Sequence, residues 1–200
     1  MSGSFVRLVI DTATAYVYVA LCDQEGNVLD AVYQEGHNDH SVTLMPTLQA
    51  LFDRCNVAPS MLEEIVCGIG PGSYTGVRIG VTVAKTLAWT LNIPLKTTSS
   101  LALMASGGTG GTILAWIDAR RGNGFYGLFA HRKGALVRLA KDAYGSMEDA
   151  FKTLRYDHVM AQGKPNLHVL FQSDQIKPVT NVHEVSPLYL RQTEAESKKE

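Results

Sequence analysis

The part of this sequence that decides its fold is the glycine-rich stretch Gly70-Pro71-Gly72-Ser73-Tyr74-Thr75-Gly76-Val77-Arg78-Ile79-Gly80. An apolar run before it indicates a buried strand, and an apolar-periodic segment after it indicates a long helix. Backbone N–H groups and the positive dipole end at such a helix start favour an anion, so Gly70, Gly72 and Ser73 are candidate anion or nucleotide contacts. The spacing matches neither a P-loop nor a dinucleotide-binding loop. The alternative is a turn whose glycines only allow close packing.

Length and composition are those of an ordinary globular protein. The 200 residues, 46% of them apolar, suffice for one domain or two small lobes. A formal net charge of -1 argues against nucleic-acid binding by this chain alone. No apolar run approaches membrane-spanning length and no signal peptide is apparent, so we expect a cytoplasmic protein. The scattered cysteines Cys22, Cys55 and Cys67 are expected to be small buried side chains rather than disulfides or metal ligands.

The first half of the chain alternates strand and helix patterns. Apolar alternation predicts three strands, with a polar hairpin turn between the second and the third. Pro46 fits badly inside the helix that follows, so that helix either starts late or is kinked there. The predicted strands are 6–11, 16–22, 28–33, one ending at 69, and 94–98, and the predicted helices are 41–55, 74–91 and 99–106.

The glycine run 107–111 separates this half from a second half that repeats the opening layout. The strand that ends at Asp118 is followed by a second strand, a glycine turn and a third strand, as is the strand that ends at Asp11. Such a duplication outlines an α/β, actin-like ATPase fold (ribonuclease-H-like, ASKHA), in which two lobes face each other across a cleft. We predict a first lobe over 1–106 and a smaller second lobe over 107–191.

Seven segments distributed over the whole chain are informative together: Ile10-Asp11-Thr12-Ala13-Thr14, His40-Ser41, Gly70 to Gly80, Pro94, Ser99-Ser100-Leu101, Ile117-Asp118-Ala119-Arg120-Arg121-Gly122 and Pro187-Leu188-Tyr189-Leu190-Arg191. With these segments the chain resembles the TsaB (YeaZ) family. The resemblance implies an actin-like ATPase fold and membership of the bacterial machinery that installs N6-threonylcarbamoyl on adenosine 37 of tRNAs reading ANN codons. It implies a non-catalytic partner of TsaD in this t6A biosynthesis, with TsaE as the associated ATPase and tRNA bound only through the complex. No cofactor is implied for this chain alone, and ATP or ADP is expected at the complex with TsaD and TsaE.

The catalytic relative TsaD is similar through the glycine loop, the helix and the next strand. It then carries Asn-His-Leu-Glu-x-His, whose histidines hold a metal, where this sequence reads Ser99-Ser100-Leu101-Ala102-Leu103-Met104. Ser100 and Met104 put a hydroxyl and a thioether in place of the two imidazoles, and both are poor substitutes at such a site. The comparison implies no metal and no catalytic residue in this chain.

Two histidines three residues apart, His37 and His40, offer a conceivable metal-ligand pair. The alternative is a solvated loop that ends in a helix cap. No His-Glu-x-x-His sequence occurs, which removes support for a metal-dependent protease activity.

Two aspartates at strand ends raise the question of nucleotide chemistry. In ATPases of this fold such an aspartate helps to place a metal-bound nucleotide, and Asp11 and Thr12 retain the acid and the hydroxyl. Ala13 stands where glycine is usual and narrows the approach of a phosphate. Arg120 and Arg121 either bind an anion, an acidic partner or tRNA, or are simply solvated. Two rivals to the scaffold role stay open: an independent small-molecule kinase or ATPase, and an interaction protein that serves another partner.

Two predicted helices carry more apolar surface than one core needs. In each of them one apolar row suits packing on the sheet, and a second row is left over. The second rows are either covered by the second lobe or form an intermolecular helix bundle. We expect docking against TsaD, or a homodimer in the absence of TsaD. The expected interface residues are Leu44, Leu48, Leu51, Gly76, Gly80, Val83 and Leu87.

The second half is short for the family. TsaB-like proteins usually have an additional helix before the Pro-x-Tyr-Leu-Arg stretch, for which residues 176–185 leave scarcely enough room. We therefore predict an abbreviated second lobe, which is expected to affect TsaE docking more than the TsaD contact. The polar tail 192–200 has no apolar face and is predicted to be disordered.

Overall fold

A computed structural model describes residues 5–36 and 40–190 of the chain. Within these residues the chain forms two β-sheets with helices packed on them. The strands are β1 (Arg7–Asp11), β2 (Tyr16–Cys22), β3 (Val28–Glu35), β4 (Glu64–Gly68), β5 (Leu95–Thr98), β6 (Thr112–Asp118), β7 (Asn123–Arg132), β8 (Ala135–Ser146), β9 (His158–Met160) and β10 (Lys177–Pro178). The helices are α1 (His40–Cys55), α2 (Tyr74–Leu91), α3 (Ser100–Ser106), α4 (Met147–Thr153) and α5 (Leu167–Phe171), with short 3-10 turns at Pro59–Met61 and Val182–Glu184.

The first sheet has the strand order β10-β5-β4-β1-β2-β3. β1, β2 and β3 pair antiparallel, whereas β4 lies parallel to β1 and β5 lies parallel to β4. β1 and β4 are buried along their whole length, as expected for central strands covered on both faces. Helices α1 and α2 cover one face, and their leucines, valines and alanines form a core with Leu8, Ile10 and Ile65.

The second sheet repeats this connectivity on a smaller scale. Its order is β8-β7-β6-β9, with β6, β7 and β8 antiparallel and β9 parallel to β6. This is the duplicated layout that the sequence predicts. The helices that follow in this half are short: α4 has seven residues and α5 has five.

The two halves share an apolar interface on the other face of the first sheet. Val9 and Val66 of that sheet form one buried cluster with Leu103 of α3 and with Leu167 and Leu170 of α5. Burial of apolar side chains on both sides of this interface stabilises one arrangement of the halves.

The chain returns to the first half near its end, which differs from the predicted division into lobes. β10 pairs with β5, and Val179, Val182 and Val185 pack against the core beneath α2. The segment 177–185, which the sequence suggests is part of the second lobe, therefore lies on the first. The sequence does not reveal β10, because this strand has only two residues, one of them a proline, and is too short to show the alternation that predicts a strand.

Most predicted elements agree with the structure. α2 begins and ends where the sequence predicts, because Ser73 caps its start by accepting the Gly76 N–H and Asn92 ends it in the left-handed conformation. α1 continues through Pro46 rather than starting after it, and the exposed proline ring lies on the solvent side. Among the described residues, no helix is both long enough and apolar enough to cross a membrane.

Candidate functional site

A cleft of about 710 Å³ lies between the two halves. Such a volume falls in the range of small-molecule sites. Its walls come from the β1–β2 turn, the start of α2, the β6–β7 hairpin and the C-terminal segment. The lining residues are Ala13, Thr14, Ala15, His40, Gly72, Ser73, Tyr74, Thr75, Gly76, Ile79, Ile117, Asp118, Ala119, Arg120, Phe125, Leu188, Tyr189 and Leu190.

The predicted anion contacts divide between the cleft and the interior. Gly72, Ser73 and Arg120 line the cleft. Asp11, Thr12 and Gly70 are buried, and they do not line it. Arg121 is exposed on the tip of the β6–β7 hairpin, also outside the cleft lining. The structure thus brings together only part of the predicted set.

The glycine loop packs directly on the β1–β2 turn. A Cβ atom added to Gly72 would lie 2.2 Å from the Ala13 carbonyl oxygen, and one added to Gly76 would lie 2.2 Å from the Thr12 carbonyl oxygen. Backbones cannot approach this closely where a side chain intervenes. These two glycines are therefore required for packing, which is the alternative that the sequence left open.

Several N–H groups of the loop donate to the chain itself. The Ser73 N–H donates to the Ala13 carbonyl (2.7 Å), and the Gly70 N–H donates to the Ser100 hydroxyl (3.0 Å). Thr12 holds the first turns of α2, because its hydroxyl donates to the Gly76 carbonyl (2.7 Å) and accepts the Gly80 N–H (3.1 Å). The Thr12 hydroxyl and the Gly70 N–H thus make internal hydrogen bonds.

Asp11 is buried at the end of β1. Its carboxylate accepts the Ala13 N–H (2.7 Å) and a hydrogen bond from the Ser100 hydroxyl. Burial raises the pKa of Asp11 to about 6, although these hydrogen bonds and the nearby His40 act in the opposite direction. The Asp11 carboxylate is thus turned into the protein, and Asp11 does not line the cleft.

Ser100 and Met104 are both buried in α3. Ser100 accepts the Gly70 N–H and bonds Asp11, and Met104 packs in the core of the second half. Residues 5–36 and 40–190 contain no group of three His, Cys, Asp or Glu side chains placed to hold a metal. Of the conceivable histidine pair, His37 lies outside the described residues, and the His40 ring nitrogen bonds the Thr14 carbonyl (2.7 Å).

The two arginines of the β6–β7 hairpin have left-handed backbone angles, with φ of 71° at Arg120 and 55° at Arg121. The Arg120 N–H donates to the Asp118 carboxylate (3.1 Å), which fixes the turn. Such angles are uncommon for residues other than glycine. Both arginines are exposed, with Arg120 lining the cleft and Arg121 outside its lining.

The apolar rows predicted as a partner surface are largely internal, and that prediction needs correction. Leu44, Leu48, Leu51, Gly76 and Gly80 are buried against the first sheet, and Val83 and Leu87 are partly buried on the same core. Cβ atoms added to Gly76 and Gly80 would lie 2.2 Å from the Thr12 carbonyl oxygen and 2.4 Å from the Thr12 hydroxyl oxygen, so these glycines allow α2 to pack closely on the β1–β2 turn.

An outward-facing groove nevertheless runs between α1 and α2. It has a volume of about 370 Å³ and is mainly apolar. Met45 on its rim is 52% exposed, and Tyr74 is 46% exposed. Of the predicted interface residues, Leu44 and Val83 lie at this groove. The lining residues are Ser41, Leu44, Met45, Tyr74, Thr75, Arg78, Ile79, Thr82 and Val83.

A cluster of Tyr74, Arg78 and Tyr189 joins the groove to the cleft. The Arg78 guanidinium lies 3.9 Å from the centroid of the Tyr74 ring and donates to the Tyr189 hydroxyl (2.7 Å). The two tyrosine rings are 5.2 Å apart. The spacing of Tyr74 and Arg78 on one helix face was visible in the sequence, but the contact with Tyr189 spans 111 residues and had no local signal.

This chain is similar to known proteins in its sequence and in its fold. A family model described as TsaD, tRNA N6-adenosine threonylcarbamoyltransferase, matches residues 22–197. The tRNA threonylcarbamoyladenosine biosynthesis protein TsaB of Bacillus subtilis (strain 168) is 34% identical over 221 residues, which cover 96% of each chain. This chain belongs to the TsaB family. The TsaB protein of Escherichia coli (strain K12) is 36% identical over 123 residues, covering 60% of this chain and 52% of that protein.

The TsaB family fold is also seen in a solved structure. YeaZ from Pseudomonas aeruginosa superimposes with a TM-score of 0.76, covering 93% of this chain and 100% of that one at 24% identity. This likeness confirms the predicted actin-like fold. The alignment with the Bacillus subtilis protein has 221 positions, whereas this chain has 200 residues. The Bacillus protein therefore contains residues that this chain lacks.

Proposed function

We propose that this chain is a non-catalytic scaffold subunit that binds TsaD and supports threonylcarbamoyl transfer to adenosine 37 of tRNA. The relatives that carry the TsaB name are biosynthesis proteins of tRNA threonylcarbamoyladenosine, and the family model that matches is that of the transferase TsaD. Similarity to both supports a role in the same process, beside an enzyme of related fold.

The observation that carries the scaffold role is the groove between α1 and α2. It is mainly apolar, it lies on two long helices, and Met45, Tyr74 and Arg78 stand at its rim. Exposed tyrosine and arginine beside an apolar depression are the residue types that contribute most to protein interfaces. A helix of TsaD that fills this groove would bury the exposed side chains of Met45 and Tyr74.

The residues where TsaD holds its metal support the non-catalytic part of the proposal. Ser100 bonds Gly70 and Asp11, and Met104 fills the core, so both side chains already have structural roles. The proposal assigns the metal and the transfer step to TsaD. It assigns ATP or ADP and tRNA to the assembled complex with TsaD and TsaE, and it includes a homodimer through the same helices when TsaD is missing.

The groove is tested by a charge placed on its rim. Met45→Glu should abolish the heterodimer that forms on gel filtration of an equimolar mixture with TsaD, because docking would have to remove the carboxylate from water in a mainly apolar groove. Heterodimer formation by Met45→Glu at the wild-type level would exclude the groove as the interface. Gly80 is unsuitable for this test, since a side chain there would meet the Thr12 hydroxyl inside the fold.

The matched control is Ala50→Glu, which adds the same charge to the same helix. Ala50 is exposed, does not line the groove, and lies about 140° around the axis of α1 from Met45. The carboxylate of Ala50→Glu would therefore stay in solvent on another face of α1. This variant should leave the heterodimer intact.

The rival function is an independent small-molecule kinase or ATPase. The cleft is large enough for a small ligand, which is the one observation in its favour. Calorimetry of the purified chain with Mg-ATP separates the two functions. The scaffold proposal expects no turnover of ATP, and steady hydrolysis by the chain alone would replace it with the rival.

A further inference from the structure

Arg78 is the one charged side chain among the described residues that line the groove between α1 and α2. The other side chains that line the groove are apolar or carry a hydroxyl group. Arg78 does not line the cleft between the halves, although Tyr74 and Tyr189 do. The charge of Arg78 therefore belongs to the groove.

Two tyrosines hold the Arg78 side chain in place. The guanidinium lies 3.9 Å from the centroid of the Tyr74 ring, and its Nε donates to the Tyr189 hydroxyl (2.7 Å). Neither Nη nitrogen has a hydrogen-bond partner within the part of the chain that the structure describes. These two nitrogens carry four N–H donors in a planar fork that matches a carboxylate. Because the side chain is already positioned, little conformational freedom is lost when it binds a partner.

Arg78 is an exposed cation without a counter-charge among residues 5–36 and 40–190. The ion pairs that these residues form all involve other cations. Helix α2 contains no Asp or Glu, so no acidic side chain lies one turn away on the same helix. The guanidinium is therefore free to pair with a group from another molecule.

A helix that fills the groove must remove water from Arg78. A guanidinium that loses water without gaining an acceptor is costly, whereas a carboxylate that accepts from both Nη nitrogens offsets this cost. The fitting occupant thus has apolar side chains to meet Leu44 and Val83 and one carboxylate to meet Arg78. A second copy of this chain fits less well, since its α2 brings two cations and no acidic side chain.

We propose that the Nη nitrogens of Arg78 bind an Asp or Glu side chain of TsaD, and that this ion pair makes the groove select TsaD over a second copy of the chain. The inference rests on the proposed function, because it names the chemistry of a contact within the scaffold interface. Selection follows because specificity is a difference between two affinities, and the pair contributes to one of them alone.

Calorimetry of TsaD binding at about 50 mM and about 500 mM NaCl tests the ion pair. Arg78→Met keeps an unbranched side chain but removes the charge, so its Kd should be about 10-fold higher at low salt. Its Kd should also rise less with salt than that of the wild type, because screening then has one pair fewer to weaken.

Two further variants separate the charge of Arg78 from its other properties. Arg132→Met removes the same charge from an exposed position in the second half, and its Kd and salt dependence should match the wild type. Tyr189→Phe removes the internal hydrogen bond to Arg78 but leaves the charge, so it should keep the wild-type salt dependence.

Cross-linking with a carbodiimide, which joins amines to carboxylates in contact, identifies the partner group. In the complex with TsaD, Arg78→Lys should give a cross-linked peptide between position 78 and an Asp or Glu of TsaD. Arg132→Lys is the control and should give no such peptide at position 132. Absence of the cross-link at position 78 in a heterodimer that does form would overturn the ion pair.

Failure of the ion pair can be distinguished from failure of the proposed function. Absence of a heterodimer, or a heterodimer that Met45→Glu leaves intact, would overturn both. A heterodimer that Met45→Glu abolishes, but that Arg78→Met forms with wild-type affinity and salt dependence, would overturn the ion pair alone. A homodimer that Arg78→Met weakens as much as the heterodimer would overturn the selection of TsaD.

Discussion

At the scale of single residues, Asp11 couples the stability of the fold to pH. Burial raises its pKa from 3.8 to about 6, so the folded protein favours the protonated carboxyl. The stabilisation from this group is therefore complete below about pH 4 and is lost as the pH rises through about 6. The titratable groups that face Asp11 are His40, Tyr33 and Cys67.

Asp11→Asn should remove this pH dependence. Relative to wild type, the variant should gain up to about 3 kcal/mol of unfolding free energy between pH 4 and pH 8. Denaturant titrations of both proteins across this range measure the difference. A difference that stays constant with pH would show that Asp11 has an ordinary pKa.

Gly76 tests whether the glycine loop is built for close packing. Gly76→Ala would place a methyl group against the backbone oxygen of Thr12, and we expect a loss of about 1–3 kcal/mol. Gly145→Ala is the control, because its added Cβ would lie at an ordinary distance of 3.5 Å from the Tyr126 ring. Thermal unfolding measures both, and equal stability of the two variants would contradict tight packing at Gly76.

Single residues also show where sequence reasoning reached its limit. The sequence correctly marked the strand end at Asp11 and the helix start after Ser73, because caps and alternation are local signals. It could not tell that Thr12 bonds Gly76 and Gly80, since those contacts span more than sixty residues. The direction in which the Asp11 side chain points depends on α3, which lies far along the chain.

At the scale of elements, three strands of the first sheet are joined by a buried ionic cluster. The Arg7 side chain of β1 bonds Glu64 of β4 (2.5 Å), and Lys96 of β5 bonds the other Glu64 oxygen (2.7 Å). Arg7 also lies over the Phe171 ring at 3.9 Å. Charges that are buried in pairs are costly to separate, so the cluster fixes the register of these strands.

Glu64→Gln should therefore destabilise the fold by about 3 kcal/mol, because it leaves the Arg7 charge buried without its partner. The double variant Arg7→Met, Glu64→Leu should recover most of the lost stability, since neither position then carries a buried charge. Glu148→Gln, in an exposed pair with Lys152, is the control and should change stability little. Denaturant unfolding that gives equal values for Glu64→Gln and Glu148→Gln would rule out the cluster's contribution.

Helices α1 and α2 show how far periodicity can be taken. The inner stripe of α2 was predictable, because a helix on a sheet must bury one face, and Val77, Val81 and Ala84 do so. The sequence predicts that the second row is covered by the second lobe or by a partner, whereas Gly76 and Gly80 pack against Thr12 at the end of β1. The periodicity of a helix predicts which face is buried, but how closely that face packs depends on the surface that it contacts.

At the scale of the whole molecule, the C-terminal segment ties the two halves together. The Leu188 N–H donates to the Ile69 carbonyl (2.7 Å), Tyr189 bonds Arg78 of α2, and Leu190 packs on the core of the second half. Leu188, Tyr189 and Leu190 line the cleft, and Tyr189 contacts Tyr74 and Arg78, which line the groove. These residues thus contact both halves of the chain as well as the cleft.

Deletion of the chain from Pro187 onward should loosen this connection. The glycine loop loses the hydrogen bond at Ile69, so amide hydrogen exchange in the loop should become faster, whereas exchange in the interior of α2 should not change. Deletion from Gln192 onward is the control, because it leaves Leu188, Tyr189 and Leu190 in place. Equal exchange in the two truncated chains would mean that the segment does not hold the loop.

The most direct test of the scaffold account is reconstituted tRNA modification. Threonylcarbamoyladenosine at position 37 is measured with TsaD, TsaE and the threonylcarbamoyl donor, in the presence of wild-type chain, Met45→Glu, Ala50→Glu or no chain. The account predicts modification with the wild type and with Ala50→Glu, and little or none with Met45→Glu or without the chain. Full modification in the absence of the chain would contradict it.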